Sequence, residues 1–356
     1  MKWTSITLGL LPALAAAKIG PEQAGYHVIY SYPGPEPPQE LYDLITEGKV
    51  GGIVLFEENI HEGTAEIINK TQEAYIQSDW YYLDPLLILT QQEGGELSTL
   101  PGGPDMTAKK VGESTTPQKA VEEMAHQTEK SFRPYGVNTN NGPSMGVYRE
   151  EGDFLDQDER SFSSDQNITA FCARWYFTTM FVDAGLAAIG KHFPGLGAAT
   201  ADQNTNDGPV TIDVDYDTLR EVDMYPYEYI LSQQIGYFLQ MIMPSWATYP
   251  AIDPDLPAGL SPKVIKDELR DRLKFEKVII SDSIEAGALA EFGDDGERAV
   301  MAMKAGVDLI LASGKNVTQG AMIVDALMEN LDQDLTGPSE NRITSLRKLL
   351  SGYDGY

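Results

Sequence analysis

The 356-residue sequence contains one cysteine and four histidines. The single cysteine, Cys172, excludes an internal disulfide, so packing rather than covalent cross-links has to stabilise the fold. The few histidines form no cluster with Asp or Glu at the spacing of metal ligands, and we expect neither a metal ion nor another cofactor. Beyond the N-terminus, no stretch reaches the roughly 18 uninterrupted apolar residues of a membrane-spanning helix. The sequence therefore argues against a disulfide-stapled, metal-dependent or membrane-embedded protein.

Basic residues are also scarce, because 26 Lys and Arg stand against 54 Asp and Glu and give a formal net charge of -28. The summed field of such a chain repels polyanions, which argues against nucleic acid and anionic membrane surfaces as partners. Neutral ligands remain compatible with this charge.

The N-terminus has the pattern of a secretory signal peptide. Lys2 precedes an apolar run over residues 6–14, and three alanines close it at 15–17. We therefore predict a signal peptide over residues 1–17 and a secreted mature chain over 18–356. Sequons at Asn69, Asn167 and Asn316 fit this compartment and predict N-glycans.

Eight short apolar runs alternate with amphipathic segments whose apolar residues recur every three to four positions. The runs cover residues 25–31, 51–56, 85–90, 136–140, 186–190, 238–243, 277–282 and 307–313, and helices are predicted over 116–132, 261–274 and 298–306. Ser261 followed by Pro262 is a typical helix start. Strands that alternate with helices predict parallel βαβ units, and eight of them favour a single-domain α/β fold, the (β/α)8 TIM barrel, over an open doubly wound sheet.

Polar residues follow several of these strands, at the end where barrel enzymes carry their reactive groups. They are Gln91 to Gly95, Asn138 and Asn140, Lys191 and His192, and Ser281 to Ser283. A carboxylate after an apolar strand is costly to bury unless it is used, so Asp282 is interpreted as a nucleophile or general base. The alternative is an N-cap of the segment that follows it. Lys191 and His192 are suited to holding sugar hydroxyls or an acyl group, although a lone strand-end lysine is more often solvated.

Four strings in this order, "TQQEGGEL", "DERSFSSD", "GKHFPGLG" and "VIISDSIEAGAL", resemble glycoside hydrolase family 3, in particular its single-domain β-N-acetylhexosaminidase branch. The similarity extends from about Gly51 to Gly306. The resemblance implies that Asp282 is the nucleophile of a retaining mechanism. It also implies that Lys191, His192 and Arg160 bind the sugar in the −1 subsite.

The chain departs from this family where the acid/base catalyst is expected. The family's loop resembles Gly-His-Gly-Asp-Thr followed by Asp-Ser-His, and its histidine, held by the aspartate, transfers the proton; here that position is Asn204. An amide cannot donate a proton at useful rates. Asp202 is the leading replacement, provided that a closed, dry loop raises its pKa; otherwise it is a solvated loop residue. Asp207 and Glu93 are weaker candidates for the same role.

Two further departures concern substrate binding. Gln91 stands where the family usually has an aspartate that binds a sugar hydroxyl, and Glu96 replaces an arginine, which disfavours a carboxylated sugar. Gln91 and Glu93 are still expected among the substrate-binding residues. Two functions therefore remain open. One is a secreted retaining β-N-acetylhexosaminidase-like hydrolase, and the other is a non-hydrolytic protein on the same scaffold that binds chitin or cell-wall fragments.

Overall fold

The computed structural model describes residues 17–81 and 84–351. Within these residues, eight parallel strands close into one barrel in which each strand pairs with its neighbours along the chain, and the last strand pairs with the first. We number the barrel strands in chain order. Their bounds are Val28–Tyr30 (β1), Gly52–Leu55 (β2), Leu87–Thr90 (β3), Thr139–Asn140 (β4), Ala187–Phe193 (β5), Met241–Pro244 (β6), Val278–Ser283 (β7) and Leu309–Leu311 (β8).

This closed barrel confirms the predicted (β/α)8 fold and rejects the open sheet. All eight predicted runs overlap a barrel strand, but β4 is only two residues long, β5 extends beyond its predicted end to include Lys191 and His192, and β6 and β7 each extend one residue further than predicted. Two short antiparallel pairs lie outside the barrel. They join Gln92–Gly94 to Leu97–Ser98 and Thr248–Tyr249 to Asp253–Pro257. The predicted signal peptide, apart from Ala17, lies outside the described residues.

Helices surround the barrel. The α-helices are Pro21–Tyr26, Gln39–Thr46, Thr64–Ile76, Ala108–Gly112, Pro117–Phe132, Gln166–Thr178, Tyr216–Thr218, Tyr225–Leu231, Asp295–Ala305, Val317–Asn330 and Gln333–Ser351. π-helical segments cover Thr179–Asp183, Leu219–Asp223 and Lys263–Arg272, and 3-10 turns cover Glu57–Asn59, Arg133–Tyr135, Gln234–Phe238, Ala258–Leu260 and Gly287–Leu289. In the described residues, no helix combines the length and the apolar character needed to cross a membrane.

One predicted helix differs in type. The segment after Ser261 is helical as expected, and the Ser261 hydroxyl accepts a hydrogen bond from the backbone N–H of Val264 at 3.3 Å. However, Lys263–Arg272 winds as a π-helix that ends with a bond from the N–H of Leu273 to the carbonyl of Glu268. Apolar spacing of three to four residues indicates which face of a helix is buried, but it does not distinguish an α-helix from a π-helix.

Apolar side chains fill the barrel and separate it from its helices. Alternate strand residues such as Ile29, Val54 and Ile189 pack inside, together with side chains of the last helix, Gln333–Ser351. The intervening strand residues, such as Val28, face the helices in a second, larger cluster. This alternation follows from the two-residue period of a strand.

A buried polar cluster closes the end of the barrel where the strands begin. The Asp308 carboxylate accepts hydrogen bonds from Arg270 and Arg342, each at 2.7 Å, and from the backbone N–H of Ile279 at 2.8 Å. His27 lies beside it, with Nδ1 2.8 Å from the Asp308 carbonyl. This end therefore has its own ion pairs, which are separate from the strand ends that carry the candidate site.

Candidate active site

The carboxyl ends of β2, β5 and β7 surround a cavity of about 360 Å³. Five of the seven predicted site residues line it, namely Asp282, Lys191, His192, Arg160 and Gln91. The parallel barrel brings these strand ends together although the residues are far apart in sequence. The other two, Glu93 and Asp202, are not among the lining residues, and each has a different position.

A register shift aims Asp282 into the cavity. Along β7, Ile280 pairs with Leu309 and Ser283 pairs with Leu311, so β7 has one more residue than β8 over this interval. Such a bulge turns a side chain out of the regular alternation, and bulges are common beside active sites. Asp282 is half-buried as a result.

The two oxygens of the Asp282 carboxylate have different surroundings. Oδ1 accepts a hydrogen bond from the backbone N–H of Ser283 at 2.7 Å. Oδ2 lies 3.9 Å from Nε2 of His192, which is beyond hydrogen-bond distance. The Trp246 indole N–H donates to the Ser283 carbonyl at 2.8 Å and fixes the end of the strand. One oxygen is therefore hydrogen-bonded, whereas Oδ2 has no hydrogen-bond partner among the described residues.

Burial raises the pKa of Asp282, while the N–H of Ser283 and the charges of Lys191 and Arg160 act in the opposite direction. The alternative that Asp282 caps a helix is wrong. Strand β7 continues through Ser283, and the next helical turn, Gly287–Leu289, begins after Ala286.

Glu93 forms ion pairs with two cations that line the cavity, although it does not line the cavity itself. Its carboxylate is buried and makes a two-point contact with Arg160, at 3.0 Å from Nε and 2.9 Å from Nη2. The same carboxylate lies 2.7 Å from Nζ of Lys191, which also donates to the Asn141 carbonyl at 2.7 Å. Glu93 therefore positions the donors, while Arg160 and Lys191 line the cavity themselves.

These contacts favour the charged forms of all three groups. Burial acts to raise the pKa of Glu93, but Arg160 and Lys191 outweigh it and hold that pKa well below its usual range. Burial lowers the pKa of Lys191, and Glu93 opposes this effect. Because Nζ is within 2.7 Å of the carboxylate, the pair is ionic at neutral pH. The alternative of a solvated Lys191 is wrong, since the residue is 2% exposed.

His192 is a neutral, buried side chain in the cavity wall. Burial, followed by the charges of Lys191 and Arg160, lowers its pKa well below the usual value. Its Nδ1 is buried without a hydrogen-bond partner in the described part of the chain. His27, His61 and His126 do not line the cavity. Among the histidines, His192 alone is placed to contact a ligand there.

The loop after β5 brings Asn204 to the cavity and leaves Asp202 outside. Asn204 lines the cavity and donates from Nδ2 to Oδ2 of Asp207 at 2.9 Å. Asp202 is exposed, and the hydroxyl of Thr200 donates to its Oδ1 at 2.7 Å. This hydrogen bond lowers the pKa of Asp202. The expected rise of that pKa is therefore wrong, because the loop turns the carboxylate towards solvent and stabilises its charged form.

Some residues that line the cavity were not predicted from the sequence. Glu57 lines the cavity directly beyond β2, and Ser313 lines it beyond β8. Both follow apolar strands, so the rule that identified Asp282 applies to them as well. Asn138 and Asn140 were expected at a strand end, but their amides bond to backbone groups of Ile88 and Gln92 instead. In the described ranges, no group of three His, Cys, Asp or Glu side chains is arranged to hold a metal ion.

Comparisons with known proteins agree with this architecture. Residues 21–346 match the family described as "Glycosyl hydrolase family 3 N terminal domain". The chain is 42% identical over 349 residues to an "Uncharacterized secreted glycosyl hydrolase" of Arthroderma benhamiae, covering 96% of this chain and 98% of that protein. It is 30% identical to a "Beta-hexosaminidase" of Thioalkalivibrio sulfidiphilus over 298 residues, which is 81% of this chain and 80% of that protein.

Among solved structures, the glycoside hydrolase family 3 β-N-acetylglucosaminidase from Paenibacillus superposes with a TM-score of 0.84 at 28% identity. The match covers 94% of this chain but 63% of the Paenibacillus chain, so this protein spans less than two thirds of that enzyme. A cavity at the strand ends of a closed barrel, an aspartate in its wall, the family match and the β-hexosaminidase relatives all lead to one assignment. The chain belongs to glycosyl hydrolase family 3 and resembles the β-hexosaminidases of that family.

Proposed function

We propose that the protein is a secreted retaining glycosidase that hydrolyses terminal β-linked N-acetylhexosaminides or related sugars, with Asp282 as nucleophile. The observation that carries this proposal is the Asp282 carboxylate, which is fixed through one oxygen and open to the cavity through the other. Buried donors on Arg160, Lys191 and His192 line the same cavity. They provide the hydrogen bonds that hold a sugar ring beside a nucleophile.

In this mechanism, Oδ2 of Asp282 attacks the anomeric carbon and the bond to the leaving oxygen breaks. The product is a glycosyl ester on Asp282, and water then cleaves this ester and restores the carboxylate. Position 204 carries an amide in place of an acid, and an amide does not protonate the leaving oxygen. The acidity of the leaving group should therefore control the first step more strongly than in an enzyme with a complete acid/base pair.

The test is the release of dinitrophenol from a 2,4-dinitrophenyl β-N-acetylglucosaminide, since this leaving group needs little protonation. We expect turnover by the wild type and a loss on the order of a thousand-fold or more in Asp282→Asn. Asp202→Asn is the matched control, because it removes a carboxylate from an exposed position outside the cavity. It should retain the wild-type rate, and a comparable loss in this variant would restore Asp202 as a catalytic candidate.

A second function, binding of chitin or cell-wall fragments without hydrolysis, is favoured by one observation. Asn204 occupies the cavity wall where the acid/base histidine is expected from the family resemblance. If no activated glycoside is turned over but N-acetylglucosamine oligomers bind in calorimetric titrations, the binding function replaces the hydrolase. Loss of that binding in Lys191→Ala would place the oligomer in this cavity.

Secretion and glycosylation belong to the same proposal. The Arthroderma relative is named as secreted, and Asn69, Asn167 and Asn316 are all exposed. We expect the mature chain to begin at Lys18 and to carry N-glycans at these asparagines. N-terminal sequencing, together with the mass change after enzymatic deglycosylation, tests both expectations. An unprocessed N-terminus and an unchanged mass would reject them.

A further inference from the structure

Two carboxylates from separate elements face the cavity besides Asp282. Glu57 begins the 3-10 turn Glu57–Asn59 after β2. Glu96 lies at the tip of the hairpin between Gln92–Gly94 and Leu97–Ser98. Both residues line the cavity and both are exposed. Two separate elements thus each place a negative charge at the same cavity.

Neither carboxylate is neutralised by the protein. Among the described residues, no ion pair involves Glu57 or Glu96; Lys315 pairs instead with Glu58 at 3.5 Å. The two cations that line the cavity, Arg160 and Lys191, are already bound to Glu93.

The charges of the site therefore do not cancel. Arg160 and Lys191 are balanced by Glu93 behind them and by Asp282 beside them, and burial keeps His192 neutral. Glu57 and Glu96 remain as two uncompensated negative charges at the cavity. His192 lines the same cavity, and its buried Nδ1 has no hydrogen-bond partner in the described residues, so a polar group of the site is still unsatisfied.

We propose that Glu57 and Glu96 select sugars that carry a protonated amine, so that the preferred ligand is a β-linked oligomer containing glucosamine with a free 2-amino group. This inference rests on the proposed carbohydrate function of the cavity and specifies its substrate class. An ammonium group gains from both carboxylates, whereas an N-acetyl group carries no charge and a carboxylated sugar is repelled. Compared with the deacetylated oligomer, the acetylated oligomer therefore lacks only the ionic attraction to Glu57 and Glu96.

The test compares the affinities of two trimers, fully N-acetylated and fully deacetylated, by calorimetric titration at pH 6 and low salt. Each exposed ion pair changes affinity only a few-fold. Two such pairs should together make the wild type prefer the deacetylated trimer by roughly ten-fold. In the double variant Glu57→Gln/Glu96→Gln this preference should disappear, while the affinity for the acetylated trimer changes by less than about two-fold. Added salt should reduce the preference in the wild type, because both carboxylates are exposed.

The matched control is Glu58→Gln, which removes a neighbouring exposed carboxylate that does not line the cavity. It should keep the wild-type preference, which separates local recognition from attraction by the net negative charge of the whole chain. A wild type that prefers the acetylated trimer, that binds neither trimer, or that shows the same preference in the double variant would overturn the inference. Because the readout is affinity and not the rate of hydrolysis, a protein that prefers the amine but hydrolyses nothing would overturn the retaining mechanism and leave this inference standing.

Discussion

Asn204 donates a hydrogen bond from its side-chain amide to the carboxylate of Asp207 at 2.9 Å, in the wall of the cavity. The backbone N–H of Asn206 donates to the other end of the same amide, to Oδ1 at 3.0 Å. A carboxylate therefore already accepts a hydrogen bond from the side chain at position 204. We expect Asp207 to orient an imidazole placed at position 204 in the same way.

Asn204→His should supply the missing proton donor. General acid catalysis contributes roughly a hundred-fold or more, so kcat/KM should rise by about that factor for substrates with poor leaving groups, such as chitobiose. The rate on the dinitrophenyl glycoside should change little, because that leaving group needs no proton. Asn206→His is the control, since Asn206 also lines the cavity but its side chain has no carboxylate partner among the described residues. Equal gains from both variants, or none from Asn204→His, would contradict the role assigned to Asp207.

Glu93→Gln should destabilise the protein strongly. Removing one partner from a buried ion pair typically costs about 3–5 kcal/mol, because the remaining charge is left in the interior, and here Arg160 and Lys191 would both lose Glu93. Urea denaturation measures the loss. Glu47→Gln removes the partner of Lys49 at the surface and should cost less than about 0.5 kcal/mol. A loss of similar size in the two variants would mean that the buried cluster contributes no more than a surface pair.

The same cluster predicts a dependence on acid. The pKa of Glu93 is held below its usual value of 4.5, so its stabilising contribution is present above that pH and is lost as pH falls towards the folded-state pKa. The difference in unfolding free energy between the wild type and Glu93→Gln should therefore shrink as pH is lowered below about 4. A difference that stays constant to pH 3 would show that the carboxylate is not held in its ionised form.

Asp223 should produce a pH dependence of the opposite sign. Burial raises its pKa to about 7, and the contact with Arg149 only partly opposes this. Its contribution to stability is therefore present below the usual value of 3.8 and is lost as pH rises through about 7. Between pH 5 and pH 8 the wild type should lose about 3 kcal/mol of unfolding free energy relative to Asp223→Asn. Urea unfolding of both proteins at the two pH values measures this, and a flat difference would contradict it.

Gly197→Ala should disturb the loop that carries Asn204. An added Cβ would lie 2.0 Å from the carbonyl oxygen of Val147, and its three nearest atoms are all backbone atoms of Val147, which cannot turn away as a side chain could. Such overpacking costs about 1–3 kcal/mol, and the displaced loop should also reduce turnover. Gly208→Ala is the control on the same loop, because nothing lies within 4 Å of its added Cβ. Denaturation and the dinitrophenyl assay together distinguish the two variants, and equal behaviour would mean that the loop adjusts freely.

Much of the fold and part of the site follow from the sequence. Eight strands that alternate with helices favour a closed barrel, and a parallel barrel brings the carboxyl ends of all its strands to one rim. Asp282, Lys191 and Gln91 could therefore be expected together although about a hundred residues or more separate them. Their convergence on one cavity agrees with this expectation, while their roles in substrate binding and catalysis remain proposals.

The orientation of side chains beyond the strand ends could not be predicted. Glu93 turns inward because the hairpin after β3 reverses through Gly94 and Gly95, with φ values of 99° and 58°. Its partner Arg160 is 67 residues away, and no local pattern connects the two. Asp202 turns outward because of a hydrogen bond from Thr200. In both cases tertiary contacts and loop geometry decide the outcome, and periodicity carries no information about them.

The two ends of the barrel are independent of each other. The ion pairs of Asp308 with Arg270 and Arg342 stabilise one end, whereas the loop with Asn204 lies at the other. Mutations at distant sites without shared partners add within about 0.5 kcal/mol, so a change in one end leaves the other almost unaffected. Natural selection can therefore act separately on the stability of the fold and on the chemistry of the cavity. Substitutions at position 204 should therefore change what the cavity binds or catalyses while the barrel stays folded.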